Sequence, residues 1–321
     1  MNRGRRNLNR FRELYTRGIL VRVIDAHAHT WTRDIISEQD RHARKIAAER
    51  AGIEPQLDSP VQKLKAAMDK SGVERAVVLP IDSGFTQTMP LSLQEKTDWH
   101  ADEVADFPDI ITFVGIDPRR GEEGLRELER AITEKGCRGW KMYPPNGFYP
   151  DDDSFYPYYE KCVDLDIPIV IHTGFTSRFK HVKYAQPVYV DKIATDFPTL
   201  KIVLAHIGVP WVSEALMVAS KNPNVSVDVS GWQTFASRAP IRVYQMVAEA
   251  RLNRVFPNRM LFGSDFPLFE YALPLEKWVR FFTKLRLPDD MIDQGYAQIS
   301  GDEIETVMWK NAERLFFGGR H

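Results

Sequence analysis

Apolar and polar positions along this chain follow two periods. Short apolar runs bounded by Gly or Pro read as buried strands. Between them lie stretches with apolar residues three and four apart, which read as helices. The first run, in VRVIDAHAHTW at 21–31, ends in a polar cluster of Asp25, His27 and His29. Further runs follow at ERAVVLPID and at 111–118, 137–144, 167–174, 200–208, 224–231 and 259–267. The intervening stretches, among them VQKLKAAMDKSG, GEEGLRELERAITEKG, YYEKCVDLD, VYVDKIATDF and VSEALMVASKN, carry helical periodicity, and Gly72 is placed to end the first of them. Residues 302–317 read as a last helix, with Ile304, Val307, Met308, Ala312 and Leu315 on its apolar side.

Eight strand-then-helix units in about 250 residues have the dimensions of a (β/α)8 TIM barrel. The rival, a doubly wound open sheet, calls for a glycine-rich phosphate loop after an early strand. Neither GxGxxG nor GxxxxGK followed by Ser or Thr occurs in the chain. With no internal repeat and no low-complexity linker, one barrel domain over 21–321 is expected. The charge-rich stretch at about 32–59, containing QDRHARKIAAERAG, reads as a partly helical insertion that covers the active face as a lid or serves a subunit contact. Residues 1–20 form a basic extension in which six arginines meet a single acid, Glu13.

Composition narrows the partners. The 321 residues carry a formal net charge of -1, which implies neither nucleic acid nor an anionic membrane, and no apolar run approaches the ~20 residues of a membrane span. Cys137 and Cys162 fall in apolar surroundings and offer no disulfide framework, which fits a soluble protein of a reducing cytoplasm. A small-molecule substrate is expected, with self-association left open.

The strand ends carry the candidate chemistry. In a barrel, all strand C-termini open on one face. They would present His27 and His29, Lys141, His172, His206 and Asp265 there, while His42, His100, His181 and His321 have no such placement. Two histidines at i and i+2 on an extended segment share a face, as a metal chelate needs. Three imidazoles and a carboxylate describe a catalytic divalent-metal site that leaves room for water, and such an ion lowers the pKa of a bound water to near neutrality. Asp265 could both bind the ion and take a proton, with His206 as acid or base beside it. Asp25 is expected to support the site by orienting a ring or capping an amide, and Asp82 and Asp117 to form turns.

The motifs IDAHAHT, WKMYPP, VIHTG, LAHIG and GSDFP, in this order, resemble the amidohydrolase superfamily. The closest likeness is to its amidohydrolase-related branch of small-molecule hydrolases, hydratases, and aminocarboxymuconate-semialdehyde and resorcylate decarboxylases. The resemblance runs from Val21 to the C-terminus and implies a (β/α)8 barrel. It implies His27, His29, His172 and Asp265 as metal ligands and His206 as the catalytic acid/base. One divalent ion is expected, zinc by the ligand types, or two ions if Lys141 is carboxylated; otherwise Lys141 is expected in an ion pair or a substrate contact. Aromatic residues near the strand ends, Trp31, Tyr143 and Trp232 among them, suggest an apolar pocket, and Arg178 in the basic run RFKHVK could hold a carboxylate there. The leading function is a metal-dependent hydrolase of a small carbonyl compound such as a lactone, amide or keto compound. The alternative is a non-oxidative decarboxylase of a small, aromatic or unsaturated carboxylic acid using the same metal site.

Overall fold

The computed structural model describes residues 21–318. The expectation for the basic extension lies outside the described residues. All eight predicted strands form: β1 Ile24–Ala28, β2 Arg75–Val78, β3 Ile110–Thr112 resuming at Val114–Gly115, β4 Trp140–Met142, β5 Ile169–Ile171, β6 Ile202–Leu204, β7 Val225–Asp228 and β8 Met260–Leu261. Each pairs with the next in parallel, in registers such as Trp140 with Ile169 and Ile202 with Val225. β3 changes partner at Phe113, whose N–H donates to Val78 O at 2.9 Å while Val114 N donates to Gly139 O at 2.9 Å. Ala26 N to Phe262 O at 2.9 Å and His29 N to Phe266 O at 2.7 Å join β8 to β1 and close the TIM barrel.

Closure places an apolar region on each side of the strands. Inside the barrel, Ile24, Val77, Phe113, Val170, Val203 and Leu261 pack with Ala312 and Phe316 from the C-terminal segment. The larger cluster lies between strands and helices, where Val61, Leu64 and Met68 of the helix Val61–Ser71 are buried, and Gly72 ends that helix at φ 79° as its pattern predicts. The C-terminal segment departs from the regular helix expected for it, with π-type turns at Thr306–Lys310 and Glu313–Phe317. Val307 O is drawn out of the ladder by Phe262 N at 3.0 Å, and buried Asn311 anchors the segment by donating from Nδ2 to Pro257 O and Met260 O at 2.8 and 2.7 Å.

The insertion is an excursion from the mouth of the barrel. Trp31 and Ser59 exchange backbone hydrogen bonds of 2.9 and 2.7 Å at its base. Between them stands helix α1, Glu38–Ala51, with Ser37 capping its first turn and Gly52 at φ 65° ending it. α1 buries only Ala48 fully, as its polar sequence requires, and turns Asp40, Ala43, Arg44 and Ala47 toward a cavity over the strand ends. No helix among the described residues is long and apolar enough to cross a membrane.

Candidate active site

β1 slips register between Asp25 and Ala28, a bulge where the two histidines leave the ladder. Asp25 touches neither ring; it accepts from His27 N at 3.1 Å, Ser264 N at 2.9 Å and Ser264 Oγ at 2.5 Å, tying β1 to the segment after β8. Burial raises its carboxyl to about 7 against those hydrogen bonds. His27 and His29 have ring centroids 5.1 Å apart, and their Nε2 atoms lie 3.6 and 2.9 Å from Asp265 Oδ1.

The tautomers decide what this cluster can hold. His29 Nδ1 faces the carbonyl of Leu79 at 2.7 Å, which can only accept, so Nδ1 carries a proton and the neutral tautomer of this ring turns the Nε2 lone pair toward Asp265. His27 Nδ1 faces Asp228 Oδ2 at 2.9 Å, and burial keeps the ring neutral by lowering its pKa, so its Nε2 is likewise an acceptor. Asp265 Oδ1 is buried without a hydrogen-bond partner. The three atoms therefore converge with no proton supplied from within the trio; Lys141 Nζ lies 3.4 Å from His27 Nε2, while the orphaned Asp265 Oδ1 costs about 1–3 kcal/mol in isolation and suits a cation. Burial alone would raise Asp265, but the His29 contact, with His206 and His27, lowers it well below the usual carboxylate range whenever those rings carry a proton. This donor set fits a divalent ion.

His172 stands beside this trio. Its Nε2–H donates to Phe175 O at 2.9 Å, which turns Nδ1 toward His206 Nε2 at 3.2 Å. His206 Nδ1 is held by Ser230 O at 3.2 Å and Ser230 Oγ at 2.7 Å, so here too two lone pairs face each other. Burial lowers His206 to about 4 and His172 well below the ordinary histidine range. His206 and Ile207 take the left-handed region at φ 61° and 46°, as does Asp265 at 54°, a strained backbone for side chains with a Cβ. Trp232 Nε1 to His206 O at 3.0 Å and His206 N to Asp228 Oδ1 at 3.1 Å hold the turn after β6 in place.

Asp228, at the end of β7, joins the site without having been expected there from the sequence. It accepts from His27 Nδ1, His206 N, Ser230 N at 3.0 Å and Ser230 Oγ, so its lone pairs are spent on orienting neighbours. Burial acts to raise it, but His27, His206 and Ser230 hold it below the usual carboxylate range. A polar residue closing the apolar run NVSVDVSG was the available signal. Lys141 is fully buried with Nζ 3.4 Å from His27 Nε2, and burial brings it down to about 8 despite Asp228 and Asp265.

His29 also lines a cavity of ≈ 250 Å³ under α1. Its walls include Trp31, Ile35, Leu79 and Tyr143, and its charged lining residues are Arg44, Lys96 and Lys180 against Asp40. Trp31 and Tyr143 thus occupy the pocket expected of them; Trp232 is buried behind His206, outside the lining. Arg178 is exposed and also lies outside it, because Lys180 is the member of RFKHVK drawn inward, donating to Asn146 Oδ1 at 2.6 Å and Thr86 Oγ1 at 3.1 Å. The Arg44 guanidinium lies 3.6 Å from the Trp31 ring centroid, and its Nε is buried without a partner.

The amidohydrolase family profile matches residues 24–318, the whole barrel. The chain belongs to the amidohydrolase family. A 2-keto-4-carboxy-3-hexenedioate hydratase of Sphingobium sp. is 34% identical to this amidohydrolase over 123 residues, 32% of this chain and 36% of the hydratase. The chain spans less than half the length of the curated relatives it matches. An amidohydrolase of Burkholderia multivorans with bound zinc superposes with a TM-score of 0.65 at 17% identity, covering 92% of this chain and 98% of that one. A dihydroxybenzoic acid decarboxylase of Polaromonas sp. JS666, with bound manganese and 2-nitroresorcinol, gives 0.62 at 18% identity over 94% and 98%. At these identities the structural likeness is one of fold.

Proposed function

We propose that this amidohydrolase is a metal-dependent lyase that decarboxylates a small aromatic or unsaturated carboxylic acid. The observation that carries the reading is a cavity lined by Arg44, Lys96 and Lys180 against Asp40 alone, opening onto the acceptor cluster at His29. An excess of cations against apolar walls suits an anion with a flat, apolar body. A neutral lactone or amide, the substrate of the leading sequence reading, would leave these charges unmatched. Arg44 and Lys180 would hold a substrate carboxylate, taking the role the sequence suggested for Arg178.

The residues that would hold the divalent ion are His27, His29 and Asp265, with His172 as the further ligand implied by the resemblance. When bound, such an ion supplies positive charge where the substrate's oxygen gains electron density. Asp265 stays anionic and aims at that point. His206 Nδ1 is committed to Ser230, which leaves Nε2 to take a proton from a substrate hydroxyl and return it to the carbon that CO2 leaves. Asp228 holds His27 and the His206 backbone in the orientation this needs. α1 and Trp31 keep bulk water away from the developing carbanion.

A second reading, hydration of a carbon–carbon double bond in an unsaturated acid, is favoured by the hydratase that shares 34% identity. The two separate in one assay series. The metal-loaded protein is offered hydroxybenzoates, unsaturated di- and tricarboxylates and neutral lactones, with released CO2 measured apart from loss of alkene absorbance. Decarboxylation predicts stoichiometric CO2, and hydration predicts loss of absorbance without it. Turnover confined to neutral lactones would return the chain to the hydrolase reading.

A further inference from the structure

The cavity has one wall that a single carboxylate held by Arg44 and Lys180 does not use. The helix Leu93–Ala105, started by a capping box of Ser92 and Glu95, buries a stripe of Leu93, Thr97 and His100. An apolar side chain would complete that stripe at position 100. His100 is instead a 2% exposed histidine, packed edge-on against Trp99 at 4.7 Å, and neither ring nitrogen makes a hydrogen bond among the described residues. Its Nδ1 is buried outright. Burial lowers its pKa well below the ordinary value, so the ring is a neutral donor and acceptor with both capacities unspent. Buried polar groups of this kind are rare unless something outside the protein satisfies them.

Lys96 stands one helical turn earlier on the same side and lines the same cavity. Its Nζ donates to Ile81 O at 2.7 Å, which uses one of its three protons. The remaining two, with a ring N–H of His100, make a donor set for an oxyanion at the wall formed by Leu79, Pro80 and Ile81. Asp40, the carboxylate among the lining residues, offsets one of three cations, so a monoanion leaves one positive charge over and a dianion leaves none.

Resting on the reading of this cavity as an acid-binding site, we propose that Lys96 and His100 form a second anion-recognition point and that the substrate is a dianion, with one carboxylate at Arg44 and Lys180 and another at this helix. The two residues determine specificity; neither is assigned to the proton transfers.

Isothermal titration of the metal-loaded full chain with benzoate, isophthalate and terephthalate tests this without turnover. At least one of the dicarboxylates should bind about ten- to a hundredfold more tightly than benzoate, the value of one hydrogen bond to a charged group. In Lys96→Met and in His100→Phe, which keeps the stripe packed, that ratio should fall to within about twofold, and Lys96→Arg should restore most of it. Equal affinity for all three ligands in the wild type, or a preference for the dicarboxylate that survives both substitutions, overturns the second point while leaving an acid-binding cavity. Binding of none of the three overturns both.

Discussion

Asp228 Oδ2 lies 2.9 Å from His27 Nδ1, on the side of the ring away from Asp265. The contact fixes the His27 proton on Nδ1 and presents Nε2 to the point where Asp265 Oδ1 and His29 Nε2 also aim. Without it the ring is free to carry its proton on the other nitrogen.

Asp228→Asn should therefore weaken metal binding about 10- to 100-fold, since the amide can present either an acceptor or a donor to the ring. Competition for the ion with a chromophoric chelator measures this. Unchanged affinity would show that the ring is oriented by Ser230 alone, whose Oγ is 3.1 Å from the same nitrogen.

His206→Asn should retain the ion and lose about 10²- to 10⁴-fold in kcat, the range of a positioned acid or base. Elemental analysis beside the rate separates this from loss of a ligand. A His206→Asn variant holding half the metal of the wild type, with the same loss in Lys141→Ala, would point instead to a two-ion site bridged by a modified Lys141.

Arg44→Met should lower kcat/KM on an acidic substrate about ten- to a hundredfold, through loss of a charged hydrogen bond. Arg178→Met should leave it within about twofold, because that side chain is exposed and outside the cavity lining. The reverse order of effects would mean that the loop after β5 closes differently over the bound acid.

Much of this was legible in the sequence, and what was missed shares one cause. Strand runs and the residues closing them are local signals, so β1 to β8, His27, His29, His172, His206 and Asp265 could be read from period and position. Asp228 sits in an equally readable place, but its neighbours in VSVDVSG gave no hint of a partner some two hundred residues away, His27. Arg44, Lys96 and His100 lie on helices, where a sequence shows which residues share a face but not what that face meets. His100 looked like an unplaced histidine for that reason. The choice of Lys180 over Arg178 depends on how one loop turns against Asn146, a tertiary contact with no signature in RFKHVK.

Acid stability offers a check away from the metal. Asp82 is a turn residue, as its IDSG context suggests, but it also pairs with Arg120 through Nε at 2.6 Å and Nη2 at 3.1 Å. Burial would raise its carboxyl, yet the Arg120 contacts and two backbone amides bring it below its ordinary 3.8. A depressed folded-state pKa contributes stability that is present above the unfolded value and is lost as pH falls through the folded one. The wild-type Tm should accordingly drop as pH is lowered below about 4. Asp82→Asn should melt lower at pH 7 and show a shallower fall across that acidic window; parallel Tm curves would mean that the pair contributes nothing net.

The claim on which the rest depends is that His27, His29 and Asp265 converge on a divalent ion. Elemental analysis of the purified, dialysed chain beside its Asp265→Ala variant tests it most directly, with circular dichroism confirming that the variant is folded. One equivalent of divalent metal is expected per wild-type chain and less than about a tenth in the variant, since removing the one anionic ligand leaves only neutral imidazoles. A folded variant that keeps a full equivalent, or a wild-type chain that binds none when metal is supplied, would contradict it.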